Sequence, residues 1–388
     1  MKKVITTEKI PIKLWLDDID NDTLRQAKNL ANLPFAYRHV SIMPDSHVGF
    51  GMPIGGVFAS QDYIIPNAVG VDIGCGMCAV KTSLRNIETE TLRKIMSSVR
   101  ELIPVGMKHH QRKQPDDLMP SLSTEGTTIV DEEYENALTQ IGTLGGGNHF
   151  IEIQKDKEGF IWMMVHSGSR NIGYRAAEYY NKLAIQLNEK WKSAVPKEWQ
   201  LAYLPLDSPE AEKYISEMNY CVAFALSNRK VMIGQIKNAF DKIINEKIDY
   251  DELINIPHNY AAVEKHFGRN VVIHRKGATS AREGETGIIP GSQGSKSFIV
   301  RGKGNKESFT SCSHGAGRKL GRNQAIKTLS FNEEKQKLDG MGVIHALRSK
   351  GGLDEAPGAY KDINIVMANQ EDLVEILVEL SPLAVIKG

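Results

Sequence analysis

No apolar stretch in this chain of 388 residues approaches the roughly 18 to 20 residues that a membrane span needs. The opening Met-Lys-Lys-Val-Ile-Thr-Thr-Glu also lacks an apolar core ahead of any cleavage site, so a cytoplasmic protein with no membrane segment is expected. Cysteine is scarce. Cys75, Cys78, Cys221 and Cys312 are too few for a disulfide framework at this length, which leaves the thiols free to act as ligands, and 13 methionines suit a reducing compartment. Neither sign of charge is in surplus. With 48 Lys plus Arg against 47 Asp plus Glu, the chain has no general attraction to nucleic acid, and a phosphate-binding surface has to be a local concentration of basic residues. Such segments exist at Arg275-Lys276, Lys303 to Lys306, and Arg318-Lys319 with Arg322. Internal repeats, low-complexity tracts and polar linkers are lacking too, which points to a single interwoven domain over 1–388.

What is present is a change of pattern along the chain. Short apolar runs between glycine turns fill the first 170 residues, and Ile54 to Ala59, Gly70 to Val80 and Ile161 to Val165 read as buried strands. From about 174 to 250 the pattern is that of a helical insertion. Ser208, Pro209 and Glu210 supply a cap, a first-turn proline and an early carboxylate. Tyr214, Met218, Cys221 and Ala225 then share one face, so Cys221 reads as core. Residues 271 to 318 return to short strands. A helix is expected just after His258, and another near the end, capped by Asn369 or Gln370, striped by Leu373, Ile376, Leu377 and Leu380, and stopped at Ser381-Pro382. The fold class is α+β.

The chemistry-bearing residues cluster beside glycines. Asp72 and Cys75 are three apart in V-G-V-D-I-G-C-G-M, where glycine lets backbone approach an ion closely. Cys75 and Cys78 match C-x-x-C, but no second pair exists for a zinc knuckle, and a strand-like Cys78-Ala-Val-Lys follows where a redox motif would open a helix. His149 follows three glycines, His166 follows an apolar run, and His258 stands before Asn-Tyr-Ala-Ala-Val-Glu. One Asp, one Cys and three His form a mixed hard and soft set that suits Mn, Fe, Co or Zn better than Mg or Ca. His314 differs, because Gly315 and Gly317 leave space beside its ring and Arg318 brings a planar guanidinium suited to phosphate. A neutral imidazole there is placed to attack a nucleotide α-phosphate, with Arg170, Lys276 and Arg318 as candidate clamps and Gly291 to Ser295 as a backbone cradle.

The segments MPDSHVGFG, VGVDIGCGM, GGGNHFIE, VHSGSRNIG, HNYAAVE, HRKGATSA, IPGSQG, SCSHGAGR, DEAPGAYKDI and the closing Ile386-Lys387-Gly388 together resemble the RtcB family of RNA-splicing and RNA-repair ligases, in order from about Pro44 onward. The resemblance implies a distinctive α+β fold and a GTP- and Mn-dependent joining of an RNA 2′,3′-cyclic phosphate or 3′-phosphate end to a 5′-hydroxyl end. It implies two manganese ions held by Asp72, Cys75, His149, His166 and His258, with Cys75 bridging, and His314 as the nucleophile that takes GMP. It further implies a guanylate pocket at Asn148, Phe150, Glu152, Ser292, Ala316 and Lys387, and phosphate contacts at Arg170, Lys276 and Arg318. Gln293 stands where many members have methionine. An archease-type activator is an implied partner. No Walker A sequence is present, so GTP has to be held some other way.

Three rival readings remain at this level. Lys337-Leu-Asp-Gly340 matches the K-x-D-G of lysine-nucleophile nucleotidyltransferases, although its surroundings read as a solvated helix with too little chain after it for the rest of such an enzyme. A binuclear metallophosphoesterase would use the metal residues without nucleotide, and an inactive RNA-binding relative would need none of them. His109 and His110 read as exposed loop, His47 and His274 as residues that orient their segments, and Cys312 as a packed thiol.

Overall fold

A computed structural model describes residues 1–123 and 126–388. Two sheets organise them. The larger is antiparallel throughout, in the order Ile254–Pro257, Gly76–Lys81, Ile161–Ser167, Phe150–Asp156, Val374–Lys387, Ser297–Gly302, Thr286–Ile289. Its two edge strands touch, so the sheet nearly closes on itself. The other runs Lys3–Ile5, Ile12–Leu14, Ala36–His47, Ile54–Ser60, Arg269–Lys276, Asn259–His266, with one parallel pair between Ile12–Leu14 and Ala36–His47.

Alternation along the larger sheet's strands explains its packing. Cys78, Val80, Ile151, Ile153, Met163 and Val165 point to one face, where Met232, Ile236, Ala239 and Phe240 of the helix Pro209–Ile243 cover them. Met77, Ala79, Phe150, Met164, Val385 and Ile299 point to the other and fill the inside of the curved sheet. The long helix starts as its residues dictate: Ser208 accepts the Ala211 N–H at 3.2 Å and Pro209 occupies the first turn. Tyr214, Met218, Cys221 and Ala225 are all buried. The helical stretch thus consists of Arg170–Lys190 and Pro209–Ile243.

Three sequence-based expectations are corrected. The segment after His258 is the strand Asn259–His266, in register from Asn259 opposite Lys276 to His266 opposite Arg269. The segment read as a closing helix is the strand Val374–Lys387, where Pro382 sits at a register shift. Gly70 to Val80 is strand only from Gly76, because a short helix, Pro66–Val69, and a turn come first. The expected strands at Ile54 and Ile161 are present.

Register gathers the chemistry at one end of the larger sheet. Lys387 pairs with Phe150, Phe150 with His166, and His166 with Met77, across four neighbouring strands. Cys75 precedes the strand opening at Gly76, whose partner Pro257 is followed by His258, and His149 precedes the strand opening at Phe150.

Candidate active site

Five side chains meet at that sheet end in two overlapping groups. Cys75, His166 and His258 present ligand atoms within 4.8 Å of one another, and so do Asp72, Cys75 and His149, so Cys75 belongs to both. Its Sγ lies 3.3 Å from Nε2 of His166 and 3.5 Å from Nε2 of His149. Nε2 of His149 is 3.1 Å from a carboxylate oxygen of Asp72, and Nε2 of His166 is 3.4 Å from Nε2 of His258. Backbone carbonyls set the tautomers. Nδ1 of His149 donates to the Leu144 carbonyl at 2.9 Å and Nδ1 of His166 to the Asn148 carbonyl at 3.2 Å, which leaves both Nε2 lone pairs directed at the cluster.

The donor chemistry fits cations. Burial holds His166 and His258 well below the ordinary imidazole range, so both are neutral, the form that ligates. Burial would raise the Asp72 acid, but the His149 hydrogen bond and its companions lower it to about 2. Burial and the Asp72 charge push the Cys75 thiol well up, and a bound cation is what would make it a thiolate. Two facing imidazole lone pairs, a carboxylate and a sulfur packed this closely repel one another unless positive charge lies among them. The residues are able to hold two cations with Cys75 common to both.

The helix Pro209–Ile243 locks this constellation from behind. The buried Asn228 accepts N–H bonds from Gly142 and Thr143 and donates to the Thr143 and Gly168 carbonyls and the Ser167 hydroxyl. Arg229, fully buried, donates to the carbonyls of Gly74 and Ser167 at 3.0 and 2.7 Å and to Asn255 at 2.7 Å. One residue therefore clamps the backbone beside Cys75 and beside His166, and the strand leading to His258. Arg170 is strained behind the same cluster, at φ 61, with bonds to Thr143 and the Gly106 carbonyl. Its guanidinium fills the space a Cβ on Gly145 would need, and the Asp72 carboxylate does the same at Gly168.

His314 stands next to the ligands, its ring centroid 4.8 Å from that of His258. Asp45, fully buried in the strand Ala36–His47, accepts three N–H groups on one oxygen: His314 Nδ1 at 2.6 Å, the His314 backbone at 3.0 Å and the Gly315 backbone at 3.2 Å. Burial would raise the Asp45 acid, but the His314 ring with Lys361 and His47 together lower it, and with Nδ1 engaged by the carboxylate it is Nε2 that faces away from Asp45. Gly317 makes the approach possible, because at φ 74 its missing side chain would otherwise fall on the Asp45 backbone.

A cavity of about 570 Å³ opens from His314 and His166 and is lined by Asn148, Phe150, Glu152, Ser292, Ala316, Arg318 and Lys387. Every residue expected in a guanylate pocket lines it. Glu152 reaches in with one oxygen buried and unpartnered, and Lys387 binds Glu355 at 2.9 Å and the Asn148 carbonyl at 3.2 Å. Ser292 is tied to Ser295 at 2.7 Å. The residues expected to contact phosphate fare differently. Arg318 lines the cavity with its donors held by Glu355 and the Leu320 and Asp354 carbonyls. Lys276 does not line it; its ammonium donates to the Phe50 and Asn67 carbonyls at 2.6 and 3.0 Å, because a buried cation takes the nearest carbonyls. Arg275 is buried against Glu264. Asp45, Glu355, Asn228 and Arg229 were not singled out from the sequence. The last two lie in a helical pattern with nothing to mark them, whereas Asp45 falls inside MPDSHVGFG and was available.

A family profile described as tRNA-splicing ligase RtcB matches residues 26–137 and 118–388. The chain belongs to the RtcB family. A relative from Escherichia coli (strain K12), RNA-splicing ligase RtcB, is 37% identical in an alignment covering 100% of this chain and 99% of its own length. The tRNA-splicing ligase RtcB of Methanococcus maripaludis is 31% identical, covering 98% and 95%. In this RtcB-family chain the rival Lys337 lies on the helix Phe331–Gly340, its side chain 54% exposed and paired with Glu334 at 2.6 Å, which keeps the amine protonated and non-nucleophilic. Among the described residues no helix is long and apolar enough to cross a membrane.

Proposed function

We propose that this protein is a GTP- and manganese-dependent RNA ligase that joins 2′,3′-cyclic phosphate or 3′-phosphate ends to 5′-hydroxyl ends through a guanylylated His314. The observation that carries the reading is the His314–Asp45 pair at the mouth of the cavity: an imidazole with one nitrogen fixed by a buried carboxylate and the other facing space large enough for a nucleotide. Membership of a family whose relatives are named RNA-splicing ligases supports it.

Guanine fits the far end of the cavity. The Glu152 carboxylate accepts from the N1–H and the exocyclic amine, and the Lys387 ammonium donates to the carbonyl oxygen on the other side of N1. With the base so held, Nε2 of His314 attacks the α-phosphorus; a phosphorus–nitrogen bond forms, the bond to the β-phosphate oxygen breaks and pyrophosphate leaves. An RNA 3′-phosphate oxygen then takes the guanylyl group from His314, returning the lone pair to Nε2. The strand's 5′-hydroxyl next attacks the RNA 3′-phosphorus and GMP departs. Asp72, Cys75, His149, His166 and His258 would hold manganese, which when bound neutralises phosphate charge and activates the water that opens a cyclic end.

Intact mass after incubation with GTP and manganese tests this. The adduct is expected on the native chain and on Lys337→Ala, and not on His314→Ala. Its absence from the native chain with the metal site filled would favour a phosphoesterase, and its loss in the lysine variant alone would move the nucleophile to Lys337.

A further inference from the structure

The carboxylate that orients His314 hangs from a fault in its own strand. Ile42 and His47 of the strand Ala36–His47 pair with Gly56 and Ile54 of the neighbouring strand, so residues 43 to 46 all stand opposite Gly55. A bulge of this kind bends a strand and re-aims a side chain, and Asp45 lies inside it. It also takes backbone carbonyls out of the sheet ladder, and buried carbonyls then need other donors.

Side chains supply them. His47 takes one, its Nδ1 bonding the Asp45 carbonyl at 3.1 Å. Lys361 takes the two on either side: its ammonium donates to the Pro44 carbonyl at 3.2 Å and to the Ser46 carbonyl at 2.6 Å. The same residue reaches the loop of the nucleophile, because its backbone N–H donates to the Gly317 carbonyl at 3.0 Å, and Tyr360 before it bridges Arg318. One residue therefore holds both partners of the His314–Asp45 bond, the bulge by its side chain and the glycine loop by its backbone.

A neutral donor could hold the same carbonyls, but a cation does more. Lys361 makes no ion pair among the described residues, and the fully buried Asp45 has one charged-type contact, to His314. The ammonium and the carboxylate thus each favour the ionised form of the other across the bulge. Guanylylation needs the carboxylate ionised. As Nε2 of His314 bonds the α-phosphorus and pyrophosphate leaves, the ring gains positive charge, which an anion at Nδ1 stabilises. We propose that Lys361 is a positioning residue for guanylylation of His314, fixing the bulge that aims Asp45 at Nδ1 and keeping a positive charge beside that carboxylate. This rests on the ligase reading above.

Kinetics resolved by step test it. His314 takes up GMP and passes it to RNA, whereas an RNA end that already carries the guanylyl group on its 3′-phosphate is sealed without a protein nucleophile. Lys361→Met keeps the aliphatic stem and removes the charge. It is expected to slow adduct formation at saturating GTP and manganese about a hundredfold, with half-saturation by GTP and sealing of the pre-activated RNA each within about threefold of native. Lys361→Arg, which retains charge and donors, is expected to recover most of the loss. An adduct rate in Lys361→Met equal to the native one overturns the proposal, and so does an equal loss of sealing, which would mark a residue that only supports the fold. A native chain that takes no GMP defeats the ligase reading before any variant is compared, and the proposal with it.

Discussion

Glu152 carries a buried acid into the cavity, and burial raises its pKa to about 8 against a smaller opposing pull from Lys387. A raised pKa means the protonated form belongs to the folded state: that contribution is whole below the ordinary carboxylate range and is lost as pH rises through about 8. Guanine needs the opposite form, because a carboxyl proton would meet the donors on N1 and the exocyclic amine. Guanine nucleotide affinity is therefore expected to rise with pH toward 8 and level above it, with a proton released on binding. Titration calorimetry of GMP into His314→Ala across that range checks the sign. Glu152→Gln should flatten the profile and cost about 1.5–3 kcal/mol of binding, and an unchanged slope in that variant would remove Glu152 from the base contact. The same residue is legible in GGGNHFIE as a carboxylate following the His149 loop; Glu355 falls inside DEAPGAYKDI, but nothing local links it to its partner Lys387, 32 positions away.

Elements explain what was and was not readable. The strands at Ile54 and Ile161 announce themselves as β-branched and aromatic runs. Val374–Lys387 misled because Leu373, Ile376, Leu377 and Leu380 also satisfy helical spacing, and the tertiary setting decided: its end pairs with Phe150–Asp156 while its start pairs with Ser297–Gly302. Likewise, Asn259–His266 is a strand because Arg269–Lys276 folds back on it. The long helix was visible by its cap and apolar face, but periodicity cannot show that two polar residues midway, Asn228 and Arg229, face inward to the ligand loops. Asn228→Ala is expected to destabilise the protein by about 1–3 kcal/mol by leaving buried N–H and carbonyl groups of residues 142–143 and 168 without partners. Thermal or denaturant unfolding reads this directly, and Asn228→Asp, which keeps the two accepted bonds, should lose less. Equal stability of native and alanine chains would show the stitch to be dispensable.

At the scale of the whole molecule, five candidate ligands scattered between residues 72 and 258 meet only because both strand register and the long helix bring their loops together. Metal binding there is expected to be coupled to the global fold, and a cation present at about a hundred times its Kd would add roughly 2.7 kcal/mol of stability. Cys75 makes the coupling uneven. It belongs to both ligand groups, whereas Asp72 and His149 belong to one and His258 to the other. Manganese content by elemental analysis should thus fall from two per chain to one in His258→Ala and in Asp72→Ala, while Cys75→Ala loses both. Melting temperature should follow the same order, with Cys75→Ala insensitive to added manganese and the single-group variants retaining part of the rise. Should Cys75→Ala keep one tightly held ion and half the stabilisation, the thiol would serve one group alone, and the two-cation arrangement about a common sulfur would have to be abandoned.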